Sequence, residues 1–180
     1  MYIRRQKAAT NSKLEFLNVQ VTGLTGRPHP VLSGILTTQE VARSRVHVRM
    51  LAGDYPCLAN LSGEDASCPL CKKVDPNQPA AVENMVHLLT RCKGTRDTRT
   101  RLIPVLLNVI SKHFPANSIL NQPNHVHLTQ LILDPTSLNL PMTIRIPPKH
   151  PCLSQVLSVC RILCSAIHKD RTKQLKSLDL

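Results

Sequence analysis

The chain is poor in aromatic residues: it has no Trp, and Tyr2, Phe16, Tyr55 and Phe114 are its only ring-bearing core formers among 180 residues. A core must therefore be assembled from Leu, Val, Ile and Cys, and stacking of bases on aromatic platforms is excluded as the dominant way of holding a nucleic acid. Acids are scarce as well. There are 11 Asp and Glu against 23 Lys and Arg, with no Asp-Asp pair and no Asp-x-Asp, so the converging carboxylates with which polymerases and nucleases hold Mg²⁺ are missing. No Gly-rich phosphate loop and no Ser in a nucleophile elbow occurs, and no Cys has the local support a nucleophile needs. An enzyme in its own right is not expected. No apolar run has transmembrane length, and Met1 to Ser12 are basic and polar without a following apolar segment, so neither a membrane span nor a secretory signal is expected. There is no internal repeat.

What the chain does have is 42% apolar residues, a formal charge of +12 and seven cysteines. The first is enough for a core. The second makes a polyanion the natural partner. Without a secretory signal the cysteines are read as reduced or metal-bound, in the nucleus or cytoplasm. Four residues give this a specific form: Cys68, Cys71, His87 and Cys92 stand as Cys-x2-Cys-x15-His-x4-Cys. Two residues between Cys68 and Cys71 let one tight turn direct both thiolates at one ion, and a short helix ending near Arg91 would present His87 and Cys92. Four protein donors fill a tetrahedron and leave no place for a reactive water, which points to one structural Zn²⁺. Three thiolates and one dication lower the formal charge by only one.

The expected fold is mostly α, a small zinc-stabilised knuckle flanked by helices, in three segments: an irregular stretch 1–36 broken by Gly23, Gly26, Pro28 and Pro30; a basic helix plus zinc-knuckle module 37–113; and a C-terminal helical segment 114–180. Thr37-Thr38-Gln39-Glu40 has the form of a capping box, opening a helix lined by Val41, Ala42, Val46, Met50 and Leu51 and stopped by Gly53. The alternation of Arg45, His47 and Arg49 with Val46, Val48 and Met50 also fits a strand, and the cap decides for helix. Arg43, Arg45 and Arg49 then form a basic face suited to phosphate contact or simply to solvent. Lys72 to Pro79 reads as loop, and Pro79 as the first turn of a helix carrying Val82, Met85, Val86 and Leu89. From about Asp97 to His113 a helix turns Leu102, Leu106, Val109 and Ile110 inward and Arg96, Arg99 and Arg101 outward, with Pro104 starting or kinking it. A short apolar helix covers Val126 to Leu133, and prolines 141, 147, 148 and 151 mark a loop. The longest element spans Cys152 to Leu178, apolar at Leu153, Val156, Leu157, Cys160, Leu163, Cys164, Ile167, Leu175 and Leu178 and polar at Arg161, Lys169, Arg171, Lys173 and Lys176. Cys160, Cys164 and His168 on that helix spread over two turns, too far for one ion, and His125 and His127 lack a matched ligand pair.

Three stretches together resemble the C-terminal region of non-LTR, LINE-type retrotransposon reverse transcriptases. They are Val41 to Tyr55, with its basic run and Leu51-Ala52-Gly53-Asp54-Tyr55 turn; Cys68-Pro69-Leu70-Cys71; and Glu83-Asn84-Met85-Val86-His87-Leu88-Leu89-Thr90-Arg91-Cys92. Pro28-His29-Pro30-Val31, Leu131 to Pro141 and Cys160 to Arg171 are similar to segments before and after these in the same family. Asn84 stands where that family usually has Thr, Lys72 where Gly is common, and the loop before Val86 is longer. The resemblance implies a region downstream of a polymerase domain, with Cys68, Cys71, His87 and Cys92 as zinc ligands. Its partners would be RNA or DNA and the upstream reverse transcriptase domain, with no membrane and no small-molecule substrate. Arg43, Arg45, Arg49, Arg96, Arg99 and Arg101 are the candidate nucleic-acid contacts. The rival expectation is a zinc-folded protein-interaction module, although a ring-type scaffold would need eight ligands where four are well spaced.

Overall fold

One helix organises the molecule. In the computed structural model, which describes Phe16 and residues 29–32, 37–57, 66–79, 81–114, 124–137 and 139–178, six α-helices occur: α1 (Thr38–Leu51), α2 (Pro69–Val74), α3 (Met85–Thr90), α4 (Arg96–Ser111), α5 (His125–Leu133) and α6 (Leu153–Lys176). Two 3-10 turns, Pro30–Leu32 and Lys93–Thr95, complete the regular structure. The protein is thus mostly helical, and no strand is present among the described residues. The 24 residues of α6 extend about 36 Å at 1.5 Å per residue. Along that length α6 touches each of the other five α-helices. Its apolar positions, spaced three and four apart, bury Leu153, Val156, Leu157, Cys160, Leu163, Cys164 and Ile167 against Met50 and Leu51 of α1, Leu106 and Ile110 of α4, and Leu131 and Ile132 of α5. Gly23, Gly26 and Pro28 lie outside the described residues.

Helix α1 forms as its cap predicts. Thr37 Oγ1 accepts from the Glu40 N–H at 3.2 Å, and Glu40 Oε2 accepts in return from the Thr37 N–H at 3.1 Å. It ends where the chain enters the left-handed region at Gly53, φ 68°. There the Gly53 N–H bonds Met50 O and the Asp54 N–H bonds Arg49 O, which satisfies the last carbonyls. The buried face differs from the expected one. Ser44, His47, Met50 and Leu51 face inward, Val46 is half-buried, and Val41 is 55% exposed. The cause is a polar contact that an apolar pattern does not show: His47 donates through Nε2 to Leu133 O at 3.0 Å, which fixes the rotation of α1 against the end of α5.

Two further expectations are corrected, and a third is decided between its alternatives. Lys72 to Val74 are helical rather than loop, because Pro69 at the first turn of α2 pre-sets φ and Lys72 closes the turn on Cys68 O. No helix starts at Pro79. Residues 81–83 instead pair back on 66–68 through Cys68 N–H to Ala81 O and Glu83 N–H to Ala66 O, each 2.8 Å, and Val82 is exposed in an antiparallel bridge with Ser67. The helix begins at Met85, where Asn84 caps it by accepting from the His87 N–H at 2.8 Å. Pro104, finally, does not start α4 but lies inside it. Pro104 and Thr100 share the exposed face, so the Thr100 carbonyl that loses its partner is open to water.

The polar positions of α6 also depart from a solvated stripe. Arg161 and Arg171 are buried. Arg161 donates to Val31 O at 3.1 Å, while Arg171 pairs with Glu83 at 2.5 Å, donates to Pro56 O at 2.9 Å and lies over the Tyr55 ring. These acceptors come from segments distant in sequence and offset part of the cost of burying each guanidinium.

Candidate metal centre

Below the main core is a second, much smaller one made of Cys68, Leu70, Cys71 and Cys92, with Leu175 of α6 against it. Three of these four residues are cysteines, so the knuckle encloses thiols more than hydrocarbon. Cys68 is the residue before α2, Cys71 lies in its first turn, His87 is the third residue of α3, and Cys92 follows the Arg91 cap of α3 and precedes the 3-10 turn. The tight-turn expectation for the first pair becomes a helix N-terminus, and the expected helical half-site holds for His87, with Cys92 just beyond it.

All four donor atoms lie within 4.8 Å of one another, and all four side chains are buried. A tetrahedral ion with metal–sulfur bonds of ~2.3 Å and a metal–nitrogen bond of ~2.0 Å has S···S edges of ~3.8 Å and S···N edges of ~3.5 Å. The separations are 3.7 Å for Cys68 Sγ to Cys92 Sγ, 3.9 Å for Cys71 Sγ to Cys92 Sγ and 3.3 Å for Cys71 Sγ to His87 Nε2. The four residues therefore lie close enough to hold one metal ion. Among the described residues no other group of three or more His, Cys, Asp or Glu side chains converges in this way.

The crowded sulfurs favour a single anion, with the Cys71 thiol held up by its burial. Crowding splits the thiols: the Cys92 thiol is pulled down to about 4, mainly by the hydrogen bond from Cys68 and with help from His87, while Cys68 is pushed up by that same bond and by burial. The Lys93 N–H points at Cys71 Sγ at 3.4 Å, and such amide–sulfur contacts orient thiolate ligands and lower their charge density. Arg99 belongs to this layer. Expected to point outward, it is half-buried, with Nη1 donating to Cys92 O and, at 2.7 Å, to Thr95 Oγ1. Lys93 Nζ meets Asp75 Oδ2 at 2.8 Å and Gln78 Oε1 at 3.3 Å beside a hollow of about 170 Å³ onto which Cys71 and His87 open.

The other expected contact residues separate into different faces. Arg45 and Arg49, four apart, share an exposed face of α1, and Arg49 makes an exposed ion pair with Asp54 at 3.6 Å. Arg43 is half-buried, about 160° around the helix from Arg45 at 100° per residue. Arg96 and Arg101 of α4 are exposed. Cys160 and Cys164 lie inside the main core and His168 Nδ1 meets the Tyr55 hydroxyl at 3.0 Å, so these three face different surroundings.

Two contributors escaped the sequence reading. A Cβ at Gly94 would come 2.6 Å from Leu70 Cβ and 2.9 Å from Gln174 Oε1, so only glycine lets the turn after Cys92 approach α2 and α6 this closely. Gln174 Nε2 donates to Gly94 O at 2.6 Å and ties the knuckle to the end of α6. A glycine two residues after a candidate ligand cysteine is the available signal. No protein-family model, curated protein or solved structure matches this chain.

Proposed function

We propose that this chain is a zinc-stabilised nucleic-acid-binding module, the C-terminal knuckle region of a LINE-type reverse transcriptase, which holds template RNA or target DNA near a polymerase domain during target-primed reverse transcription. The convergence of Cys68, Cys71, His87 and Cys92 at tetrahedral separations carries this reading. A donor set of three thiolates and one imidazole selects zinc among common ions, and a set complete in protein ligands makes that zinc structural. The formal charge of +12 and the exposed Arg45, Arg49, Arg96 and Arg101 supply attraction for phosphates without base-specific geometry.

The resemblance gains support from how its segments meet. Glu83 before the knuckle helix pairs with Arg171, the last residue of the Cys160 to Arg171 run, over Tyr55 of the turn after α1. His29 pairs with Asp134 at 3.2 Å. Asn84, where the family usually has Thr, performs the same capping that Thr would. Among the described residues, the buried and half-buried carboxylates Glu83, Asp134 and Asp75 are engaged with Arg171, His29 and Lys93 rather than with one another. No primer extension and no Mg²⁺-dependent nicking by this chain is therefore expected.

The test is metal analysis joined to binding. Chain prepared without chelator should carry one zinc, and it should retain RNA and DNA oligonucleotides on a filter at near-physiological salt. His87→Ala should lose both, although it leaves the charge almost unchanged. Undiminished retention by a zinc-free His87→Ala variant would make the protein-interaction module the better reading.

A further inference from the structure

Between the knuckle and the end of α6 runs a surface cleft of about 570 Å³. Its walls come from three elements: Lys73 of α2, Asp97, Thr98 and Arg101 of α4, and Asp170 and Lys173 of α6, with Gly94, Gln174 and Ser177 completing the lining. No apolar side chain lines it, which argues against a hydrophobic ligand or an anchored peptide side chain. Lys73, Arg101 and Lys173 are exposed, and none of them forms an ion pair with a described residue. Lys73 Nζ rests on a neutral partner, Ser177 Oγ, at 2.7 Å. Two carboxylates share the lining with these three cations: Asp97, and Asp170, which accepts from the Thr98 hydroxyl.

The contrast with α1 is informative. There Arg49 is partly neutralised by Asp54 and Arg43 lies on a different side from Arg45, so the face with the highest count of arginines in sequence is not one continuous track. In the cleft, cations from three elements distant in sequence face one space.

We propose that this cleft, and not the α1 face, is the track for the phosphodiester backbone, with Lys73, Arg101 and Lys173 as its phosphate contacts. This rests on the nucleic-acid reading above and narrows it to one surface. The placement also explains why an ion that touches no nucleic acid would govern binding. Lys73 is two residues beyond the ligand Cys71 and Gly94 two beyond Cys92, so one wall of the cleft is held in place only when the knuckle is closed. A hydrated polyanion with regularly spaced charges suits this set of charged and hydrogen-bonding side chains and an electrostatic, sequence-independent mode.

The experiment measures affinity of the full zinc-loaded chain for a single-stranded RNA and a DNA of equal length across a salt series. The triple variant Lys73→Gln, Arg101→Gln, Lys173→Gln should flatten the log–log salt slope by about two to three units. Lys112→Gln, Lys149→Gln, Lys169→Gln removes the same charge from exposed sites that do not line the cleft and should change the slope by less than about one unit. The charge-preserving variant Lys73→Arg, Arg101→Lys, Lys173→Arg should restore the parent slope, which a packing role would not predict. Asp97→Asn removes an acid from the wall and should tighten binding. Equal slopes for the cleft and control variants, at equal zinc content and helicity, overturn the cleft assignment while leaving the nucleic-acid reading intact. A parent chain that binds poly-glutamate but neither oligonucleotide at low salt overturns both.

Discussion

At the scale of single residues, buried polar contacts accompany the apolar stripe. Glu83 is fully buried and Arg171 nearly so. Removing one partner leaves an uncompensated charge, so Arg171→Met should cost about 3–5 kcal/mol, whereas the double variant Arg171→Met, Glu83→Met should recover much of it because two apolar side chains replace two desolvated ions. Urea unfolding of both at saturating zinc checks this, and a single variant within about 0.5 kcal/mol of the parent would mean the pair is structurally idle. His47 adds a pH dependence. Burial, opposed by its bond to Leu133 O and assisted by nearby Arg161, lowers its pKa from 6.5 to about 4. Between those values the unfolded chain binds the proton and the folded one does not. Stability is therefore complete above about pH 6.5 and falls on acidification towards pH 4, by up to about 3 kcal/mol. His47→Gln keeps a side-chain N–H for Leu133 O but cannot titrate, so its stability should be flatter over that window when unfolding is compared at fixed zinc. Parallel curves for the two proteins would remove His47 from the account.

Among the elements, legibility followed the kind of force involved. The capping box, the Gly53 stop and the 3.6-residue stripe of α6 are local, and they could be read from adjacent residues. The rotation of α1 and the start of α3 were not legible. His47 is oriented by a carbonyl 86 residues away, and the stretch after Pro79 is taken up by pairing with residues 66–68 rather than by helix. Arg161 and Arg171 stand among the polar positions of the α6 pattern, and a one-dimensional pattern shows a charge and not its acceptor. Gly94 is silent in the sequence for a similar reason, since a close approach is visible only once both sides exist. Gly94→Ala forces a methyl into Leu70 and Gln174, and overpacking of this kind costs about 1–3 kcal/mol. The damage should concentrate where the knuckle meets α6. Amide exchange should quicken in residues 93–95 and 174–177 and stay slow in the middle of α6; uniform acceleration throughout the chain would contradict so local a contact.

For the whole molecule, the two cores differ in what sustains them. The larger one joins α1, α3, α4, α5 and α6 through mostly aliphatic residues. The smaller one has Leu70 and three thiols with Leu175 alongside, too little hydrocarbon to hold α2 and the Lys93–Thr95 turn against chain entropy of about 1–2 kcal/mol per residue. The ligands are divided between them. His87 is carried by α3, whose Met85, Leu88 and Leu89 belong to the large core, while Cys68, Cys71 and Cys92 lie in the small one. The cysteine spacing announced the site in the sequence, but this division depends on which neighbours α3 meets and became visible only with the fold. Metal removal should accordingly be a local event. With a strong chelator, residues 66–79 and 92–95 should lose amide protection and α6 should fray after Asp170, where Gln174 and Leu175 lose their contacts, while α1, α4, α5 and the first four turns of α6 remain protected. Cys71→Ser should reproduce that pattern at neutral pH without chelator. Hydrogen exchange read by mass spectrometry separates the outcomes: collapse of protection across both cores would mean that the ion supports the entire fold, and retained protection in 66–79 would mean that the knuckle closes without it.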